Sequence, residues 1–232
     1  MLVELQLIPT RAQAKSLIEM GRVSVNGTIL KKAGDLISPD DVIIVDSPGF
    51  VGRGAFKLEA ALKEFAIRIE DKTFVDVGAS TGVFTEILLR EGAAKVFAVD
   101  VGRDQLAQKL RLNPKVENME GTHILDVNFF VPIEGAVIDL SFISLTKVMS
   151  HIVNLLAPGA DVVALIKPQF EAGLERIPKD GVIKDENLRK IILEEVLAHF
   201  SSLGLTIKKV IDSPIEGKSG NHEYLAWLQK AQ

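Results

Sequence analysis

From residue 54 onward, short apolar runs alternate with amphipathic segments, and no other feature of the chain constrains its fold as strongly. The run "TFVDVG" (73–78) is typical of a strand, and the segment "TGVFTEILLREG" (81–92) that follows is typical of a helix. Repetition of this unit predicts a parallel, doubly wound α/β sheet covered on both faces. The last two runs, 206–214 and 222–230, are joined by too few residues for a crossover, so we predict that they pair antiparallel.

The remaining elements of this region follow from the same patterns. Strands are predicted over 95–102, 135–141 and 161–167, and helices over 55–67, 104–112, 144–159 and 185–204.

The first 47 residues have a different pattern and predict a separate small α+β unit. "TRAQAKSLIEMG" (10–21) starts with a good capping residue and ends at a glycine, which indicates a helix. "RVSVNGTIL" (22–30) alternates around Asn-Gly and predicts a hairpin, and "DVIIV" (41–45) predicts a further strand. We therefore divide the chain into a small domain over 1–47, a Pro/Gly-rich linker over 48–56 and a larger domain over 57–232.

Composition excludes several classes of protein. The 232 residues include no cysteine, which excludes disulfides and thiolate metal sites, and the four histidines lack metal-ligand spacing, so no metal is predicted. No apolar run approaches the ~20 residues that span a bilayer, and the N-terminus lacks the pattern of an export signal. These features predict a cytoplasmic protein without stable membrane association.

The charge distribution points to one candidate RNA-binding patch. The net charge of −4 is not that of a typical nucleic-acid-binding protein. Residues 11–32 nevertheless contain five basic side chains against a single Glu19: Arg11, Lys15, Arg22, Lys31 and Lys32. Such a patch could bind phosphates, or it could be a solvated helix face, and charge alone leaves both interpretations open.

Ionisable residues end four of the predicted strands. They are Asp76, Asp100, Asp139 and Lys167. In open α/β sheets, ligands bind beyond the carboxyl ends of the strands, so four such residues at one edge predict a polar site. Lys167 is the most informative, because it directly follows five apolar residues of a buried strand and precedes a proline.

The turn after the first strand of this domain suggests the ligand. Gly78 and Gly82 in "VDVGASTGVFTE" allow the backbone to approach a ligand closely. No Gly-Lys-Ser/Thr follows, and the Gly-x-Gly spacing of dinucleotide sites is missing. Asp76 suits a ligand with an amine, and Asp100 suits a ribose diol, a combination that S-adenosylmethionine presents. A purely structural strand–helix turn would also explain the glycines.

Several stretches make the chain recognisable as a whole. They are "RGAFKLEAAL", "VDVGASTGVFTEILL", "AVDVGRDQLAQKLR", "VIDLSFISLTKV", "ALIKPQFEAG" and "GNHEYLAWL". They resemble the hemolysin A-like (TlyA) family of ribosomal RNA 2′-O-methyltransferases, close to the FtsJ/RrmJ-like enzymes. Residues 1–47, with "AKSLIEMGRVSVNG", resemble the alpha-L RNA-binding domain of the S4 type. The resemblance implies a Rossmann-like methyltransferase domain that uses S-adenosylmethionine, with ribosomal RNA or ribosomal subunits as partners.

The resemblance places a Lys-Asp-Lys-Glu tetrad on Lys57, Asp139, Lys167 and Glu223. It implies that Lys167 either removes the proton of a ribose 2′-hydroxyl or, as a cation, steers that hydroxyl toward the methyl group. The other three would orient Lys167 and the ribose. Each has a simpler interpretation, since Lys57 could be a surface charge on a helix, Asp139 a helix cap and Glu223 a solvent contact.

The cofactor site implied by the resemblance comprises six residues: Asp76, Gly78, Ser80, Gly82, Asp100 and Asp126. Asp126 would meet the adenine amino group, or it could cap a loop or helix. Arg53, near Lys57, would contact an RNA phosphate between the two domains. The sequence specifies neither the nucleotide, the ribosomal subunit nor the oligomeric state.

Three other functions compete with methyl transfer. A ribosome-assembly factor with a relict cofactor fold would not need all four tetrad positions. A membrane-lytic protein, suggested by the name hemolysin, would need a spanning or strongly basic amphipathic helix. A nucleotide-dependent dehydrogenase would need the missing Gly-x-Gly.

Overall fold

The N-terminal unit of the computed structural model is a short helix against a three-stranded sheet. The structure describes the chain except for residues 1, 6, 9, 39–40, 47–51, 53 and 218–219. The unit contains α1 (Arg11–Glu19), β1 (Val23–Val25), β2 (Thr28–Ile29) and β3 (Ile43–Val45), with β1 antiparallel to both other strands. The Thr10 side chain accepts a hydrogen bond from the Gln13 backbone N–H and caps α1. The predicted helix, hairpin and third strand are confirmed.

The second domain is a seven-stranded sheet between two layers of helices. Its strands are β4 (Thr73–Val77), β5 (Lys95–Asp100), β6 (Val116–Glu120), β7 (Ile133–Ile138), β8 (Leu156–Ile166), β9 (Leu205–Asp212) and β10 (Tyr224–Lys230). Its helices are α2 (Ala55–Phe65), α3 (Val83–Arg90), α4 (Gln108–Arg111), α5 (Met149–Leu155), α6 (Pro168–Glu171) and α7 (Glu186–Ser202), with short 3-10 helices at Ile124–Asp126 and Leu145–Lys147.

The strand order is β6-β5-β4-β7-β8-β10-β9. The first five strands in that order are mutually parallel, and β10 runs antiparallel between β8 and β9. The predicted doubly wound sheet with an antiparallel C-terminal pair is confirmed.

Alternate residues of the central strands enter opposite cores. On β4, Phe74 packs with α2 and α3, whereas Val75 packs with α5 and α7. This follows from the two-residue period of a strand, which sends neighbouring side chains to opposite faces of a sheet. Leu17 and Val23 of the N-terminal unit belong to the same hydrophobic cluster as α2.

Arg22 joins the N-terminal unit to α2. Its guanidinium donates to a Glu59 carboxylate oxygen at 2.6 Å, and its Cζ lies 5.4 Å from the centre of the Phe56 ring. Both contacts hold Arg22 against the second domain, so its positive charge is partly neutralised by Glu59.

Two predicted helices differ in extent from the structure. The helix predicted over 104–112 is only the single turn α4, because the Glu120 carboxylate accepts the backbone N–H groups of Gln105 and Leu106 at 2.6 and 2.9 Å. The helix predicted over 144–159 divides into a 3-10 turn and α5, and then gives way to β8, whose Leu156 pairs with Ile133.

Strand β6 was not predicted. Its sequence "VENME" does not alternate between apolar and polar residues, because β6 lies at the edge of the sheet and most of its side chains are at least partly exposed.

Candidate active site

Lys167 lies at the carboxyl end of β8, next to the end of β7. The two strands are parallel and adjacent, with Ile138 paired to Ala164, so the residues that follow them meet at one edge. Lys167 is buried, and its Nζ lies 2.5 Å from Asp139 Oδ1 and donates to Ser141 Oγ at 3.0 Å. The contact with Asp139 is an ion pair, while Ser141 provides the aligned hydrogen bond. Pro168 then starts α6 and ends the strand.

Lys57 and Glu223 form a second ion pair at this edge. Lys57 is buried on α2, and its Nζ donates to Glu223 Oε2. Glu223 precedes β10, whose Tyr224 pairs with Ile166 of β8, and this register brings Glu223 to the same edge as Lys167. Since buried charges are costly unless paired, the pairing accounts for a lysine inside the protein.

All four predicted tetrad residues line one cavity of about 590 Å³. The cavity is also lined by side chains that the sequence reasoning did not single out, among them Ser141, Gln169 and Phe142. The Gln169 Nε2 lies 3.5 Å from Glu223 Oε1, and its buried Oε1 has no partner among the described residues. These residues lie within three positions of a tetrad member, so inspection of the segments after each strand end would have identified them.

Phe142 has an unusual backbone conformation. Its φ of +67° is rare for a bulky residue and marks a locally strained turn. The side chain is 91% exposed, and its ring centre lies 5.1 Å from that of Phe170 on α6. The segments after β7 and β8 are therefore in contact through these rings as well.

The predicted glycine turn between β4 and α3 has left-handed backbone geometry. Gly78 has φ +88°, and a Cβ there would lie 2.4 Å from the Asp139 carbonyl oxygen. Gly82 has φ +87°, and a Cβ there would lie 2.3 Å from a Leu110 methyl carbon. Ser80 is also left-handed, at φ +49°. Gly78 thus allows the turn to pass directly over the end of β7.

Asp76 lies beneath this turn and is fully buried. Its Oδ2 accepts hydrogen bonds from the Thr85 backbone N–H (2.8 Å) and hydroxyl (2.7 Å). Its Oδ1 has no partner in the described chain. Burial raises the pKa of Asp76 to about 7; the Thr85 hydrogen bonds oppose this shift, and the charges of Asp139 and Asp100 add to it.

Asp100 lies in a second cavity of about 520 Å³, which adjoins the first. Asp100 Oδ2 accepts from the Ser80 backbone N–H at 2.8 Å, and Oδ1 accepts from the Gly102 backbone N–H at 2.7 Å. Residues shared by both cavities are Gly78, Ser80, Asp139, Ser141 and Phe142. The second cavity has further apolar walls from Val99, Val101, Ile124, Leu140, Ile143 and Val148.

Asp126 lies apart from the other predicted cofactor residues. It is exposed at the end of a 3-10 helix, and His123 and Ile124 of the same segment line the second cavity instead. Its contact with adenine stays a prediction.

The predicted RNA-binding residues do not share one environment. Arg11, Lys15 and Lys32 line a third cavity of about 570 Å³ in the N-terminal unit, and Lys31 is exposed. Lys15 pairs with Glu19 at 3.4 Å, and Arg22 contacts α2 as described above. Arg53 lies outside the described residues.

Neither a metal cluster nor a membrane helix is found in the part of the chain that the structure describes. No three His, Asp or Glu side chains there come together in a way that could hold a metal ion. No described helix combines the length and hydropathy needed to cross a bilayer.

The sheet order, the glycine turn and the two adjoining cavities define a Rossmann-like methyltransferase. A family model of FtsJ-like methyltransferases matches residues 50–230, and a model of the S4 domain matches residues 1–43. The chain therefore belongs to the FtsJ-like methyltransferase family and carries an S4 domain.

Relatives and solved structures agree with this assignment. The chain is 40% identical to the 16S/23S rRNA (cytidine-2'-O)-methyltransferase TlyA of Mycobacterium tuberculosis, over 98% of this chain and 87% of that protein. A solved Streptococcus thermophilus protein described as a hemolysin is 39% identical, with a TM-score of 0.78 over all of this chain and 87% of that one. The N-methyltransferase NodS of Bradyrhizobium japonicum, solved with S-adenosyl-L-homocysteine, shares the fold at 16% identity and a TM-score of 0.54, over 81% of this chain and 90% of that one.

Proposed function

We propose that this protein transfers a methyl group from S-adenosylmethionine to the 2′-hydroxyl of a cytidine in ribosomal RNA, within cytoplasmic ribosomal particles. One observation carries the proposal: two lysine–carboxylate pairs, Lys57–Glu223 and Lys167–Asp139, line a cavity that adjoins a second, more apolar one. Such an arrangement suits two ligands that react where the cavities meet. The TlyA relative supports the choice of ribose, cytidine and ribosomal RNA.

The second cavity, together with Asp76 on the wall of the first cavity and the glycine turn, fits the cofactor. Each carboxylate oxygen of Asp100 accepts one backbone hydrogen bond and retains a second lone pair, so both can accept hydrogen bonds from a ribose diol. The buried Asp76 Oδ1 has no described donor, and the amino group of the methionine part would supply one. Gly78, Ser80 and Gly82 would let the backbone approach this part closely. When bound, S-adenosylmethionine supplies an electrophilic methyl group on a sulfonium, which leaves as a neutral thioether.

Lys167 is the general base of the proposed reaction. Lys167 first releases the proton of its ion-paired ammonium to solvent. As a neutral amine it then takes the proton of the 2′-hydroxyl while that oxygen forms its bond to the methyl carbon, and the electron pair of the broken carbon–sulfur bond stays on sulfur. Lys167 ends the reaction as an ammonium beside the Asp139 carboxylate, 2.5 Å away, which stabilises the new charge.

Lys57 and Glu223 hold the ribose in the proposed mechanism. Their charges offset each other, so the pair can present hydrogen-bonding groups to the ribose without adding a net charge to the cavity. Orientation of the reacting atoms is itself a large source of rate enhancement.

The N-terminal domain, which we place at 1–47, would hold the RNA while the domain at 57–232 carries out the chemistry. The S4 match supports this division. Three basic side chains, Arg11, Lys15 and Lys32, also line one cavity of this domain, against two acidic ones, Glu4 and Asp35. Arg53, in the linker over 48–56, would contact a phosphate of the same RNA.

The test is methyl transfer from labelled S-adenosylmethionine to 30S and 50S particles and to naked ribosomal RNA. Label should enter RNA at a linkage that resists alkali, because a 2′-O-methyl group blocks the attack of the 2′-oxygen on its phosphate. Lys167→Ala should lose transfer by roughly 10²–10⁴-fold, the contribution of a general base, while still binding the cofactor in calorimetry. Lys190→Ala is the matched control, because Lys190 lies on the surface of α7 and pairs with Glu186 on the same helix.

The negative outcomes have distinct meanings. Cofactor binding without label in any particle or RNA would contradict the proposed acceptor and favour an assembly factor. Label in RNA that remains sensitive to alkali would indicate methylation of a base. Full activity of Lys167→Ala would reject Lys167 as the base.

A further inference from the structure

Among the described residues, Ser141 is the only residue outside the tetrad that forms a hydrogen bond with the Lys167 side chain. It follows Asp139 by two positions and lines both cavities. Its Oγ accepts a hydrogen bond from Lys167 Nζ at 3.0 Å. Ser141 itself is exposed, whereas Lys167 is buried. It therefore lies at the boundary between the two proposed ligands and touches the proposed base.

The geometry of an amine gives this contact a consequence. A neutral lysine has two N–H bonds and one lone pair, arranged tetrahedrally about Nζ with Cε. Two acceptors, the Asp139 carboxylate and Ser141 Oγ, lie within reach of Lys167 Nζ. Ser141 Oγ accepts one N–H bond in an aligned hydrogen bond, whereas Asp139 Oδ1 has no aligned hydrogen bond among the described residues and attracts the amine by its charge. Because Ser141 fixes the direction of one N–H bond while Asp139 lies beside the amine, one direction remains for the lone pair. Without Ser141, Nζ would lose its one aligned hydrogen bond among the described residues, so the end of the side chain could shift and the lone pair would have no fixed direction.

The segment that follows Ser141 is held in place by α6. Phe142 holds its positive φ while its ring contacts Phe170. The Glu171 carboxylate accepts hydrogen bonds from the Ser144 hydroxyl at 2.5 Å and from the Leu145 backbone N–H at 2.9 Å. Since Phe170 and Glu171 follow Lys167 closely in the chain, the same short helix α6 holds the Ser141 segment beside Lys167. A strained turn kept in place by several contacts is typical of a functional position.

We propose that Ser141 is a positioning residue for methyl transfer: it accepts one N–H bond of Lys167 and, with the Asp139 carboxylate beside the amine, directs the lone pair toward the acceptor hydroxyl. The inference rests on the proposed function, in which Lys167 is the base. It assigns Ser141 no contact with the methyl group and no proton of its own.

Kinetics of Ser141→Ala and Ser141→Thr provide the first test. Ser141→Ala should lower kcat by about 10–100-fold, the range expected when a reacting group loses its alignment, with the KM for RNA and the Kd for S-adenosylmethionine within about threefold of wild type. Ser141→Thr keeps the hydroxyl at an exposed position and should restore most of kcat. Ser150→Ala, exposed on α5, is the control for loss of a hydroxyl and should behave as wild type.

Three kinetic outcomes would overturn the proposal. They are a Ser141→Ala variant with wild-type kcat, a Thr variant as slow as the Ala variant, and a loss confined to KM or to cofactor affinity. The last would make Ser141 a binding residue instead.

A crystal structure of Ser141→Ala gives a test that does not depend on activity. The Lys167 Nζ should move by about 1 Å or more, or take two positions, a displacement large enough to impair catalysis. An unchanged Nζ beside Asp139 would overturn the inference even if the wild-type protein methylated nothing. An inactive wild type whose variant shows the shift would instead count against the proposed function alone.

Discussion

The two sides of the catalytic cavity contain the same pair of residue types but differ in their access to solvent. On the α2–β10 side, Lys57 meets Glu223, whose side chain is 3% exposed. On the β7–β8 side, Lys167 meets Asp139, whose side chain is 28% exposed. The closed pair keeps its charges, because removing one would leave the other unpaired in the interior. The open pair also contacts a hydroxyl and the boundary of both cavities, so it can exchange a proton with a ligand.

The largest expected effect is on the closed side. Glu223→Ala should lower the free energy of unfolding by about 3–5 kcal/mol, because Lys57 is left charged and buried without its partner. Urea denaturation measures this loss. The double variant Lys57→Met/Glu223→Met should recover most of the stability and remain inactive. A Glu223→Ala protein as stable as wild type would show that the pair is not closed to water.

The open side should respond in the opposite way. Asp139→Asn should lower methyl transfer by roughly 100-fold, since Lys167 loses the carboxylate that stabilises its charged form. Its free energy of unfolding should fall by less than that of Glu223→Ala, because the carboxylate that is lost is 28% exposed and the amide still offers an acceptor to the buried Lys167. The comparison fails if Asp139→Asn destabilises the protein as much as Glu223→Ala does.

Asp76, buried on β4 beneath the glycine turn, should make stability depend on pH. Its pKa is raised by burial to about 7 from 3.8, so between these values the folded protein binds more protons than the unfolded chain. The free energy of unfolding from this group therefore falls as pH rises from about 4 to 7, and is constant above that range. Denaturation of the cofactor-free protein at pH 5 and pH 8 measures the effect.

Asp76→Asn removes this titrating group and is the control. It should flatten the dependence between pH 5 and 8 and stabilise the protein at pH 8, while weakening S-adenosylmethionine binding. An unchanged slope in the variant would assign the pH dependence to other groups.

The smallest expected effect concerns the hydrogen bonds by which Glu171 joins the segment after β8 to the segment after β7. Glu171→Gln keeps an acceptor for the Leu145 N–H but replaces a charged acceptor of the Ser144 hydroxyl by a neutral amide. A charge-assisted hydrogen bond then becomes an ordinary one, which should cost about 1 kcal/mol, or roughly fivefold in kcat. Single-turnover rates on RNA would detect it, and a change confined to RNA affinity would argue against a role of Glu171 in alignment.

The open side was more predictable from the sequence than the closed side. Asp139 and Lys167 follow apolar runs in a βα pattern, and parallel strands bring their carboxyl ends to one edge, so local pattern and topology together predict their meeting. Lys57 has no such signal, because a lysine on an amphipathic helix is usually exposed. Its burial depends on Glu223, 166 positions away, and on the insertion of β10 beside β8.

The errors at 104–112 and 144–159 have a similar origin. The Glu120 carboxylate accepts hydrogen bonds from backbone N–H groups that would otherwise lie within a longer helix. In the second case, residues with good helical propensity pair as part of β8 with β7. Such tertiary contacts override local propensity and cannot be inferred from one segment. Ser141 escaped notice because a serine after a strand end is common.

The insertion of β10 between β8 and β9 also sets an order for folding. β9 precedes β10 in the chain but contacts the sheet through it, so β9 has no place in the sheet until the later strand arrives. Until then, β8 presents an unpaired edge, which is a template for association with other chains. β8 is the longest of the described strands, and most of its residues are apolar. Before β10 is in place, Lys57 also lacks its counterion, because Glu223 directly precedes that strand. Completion of the sheet and assembly of the catalytic cavity are thus one event, so partly folded forms of this protein should be inactive and prone to aggregate.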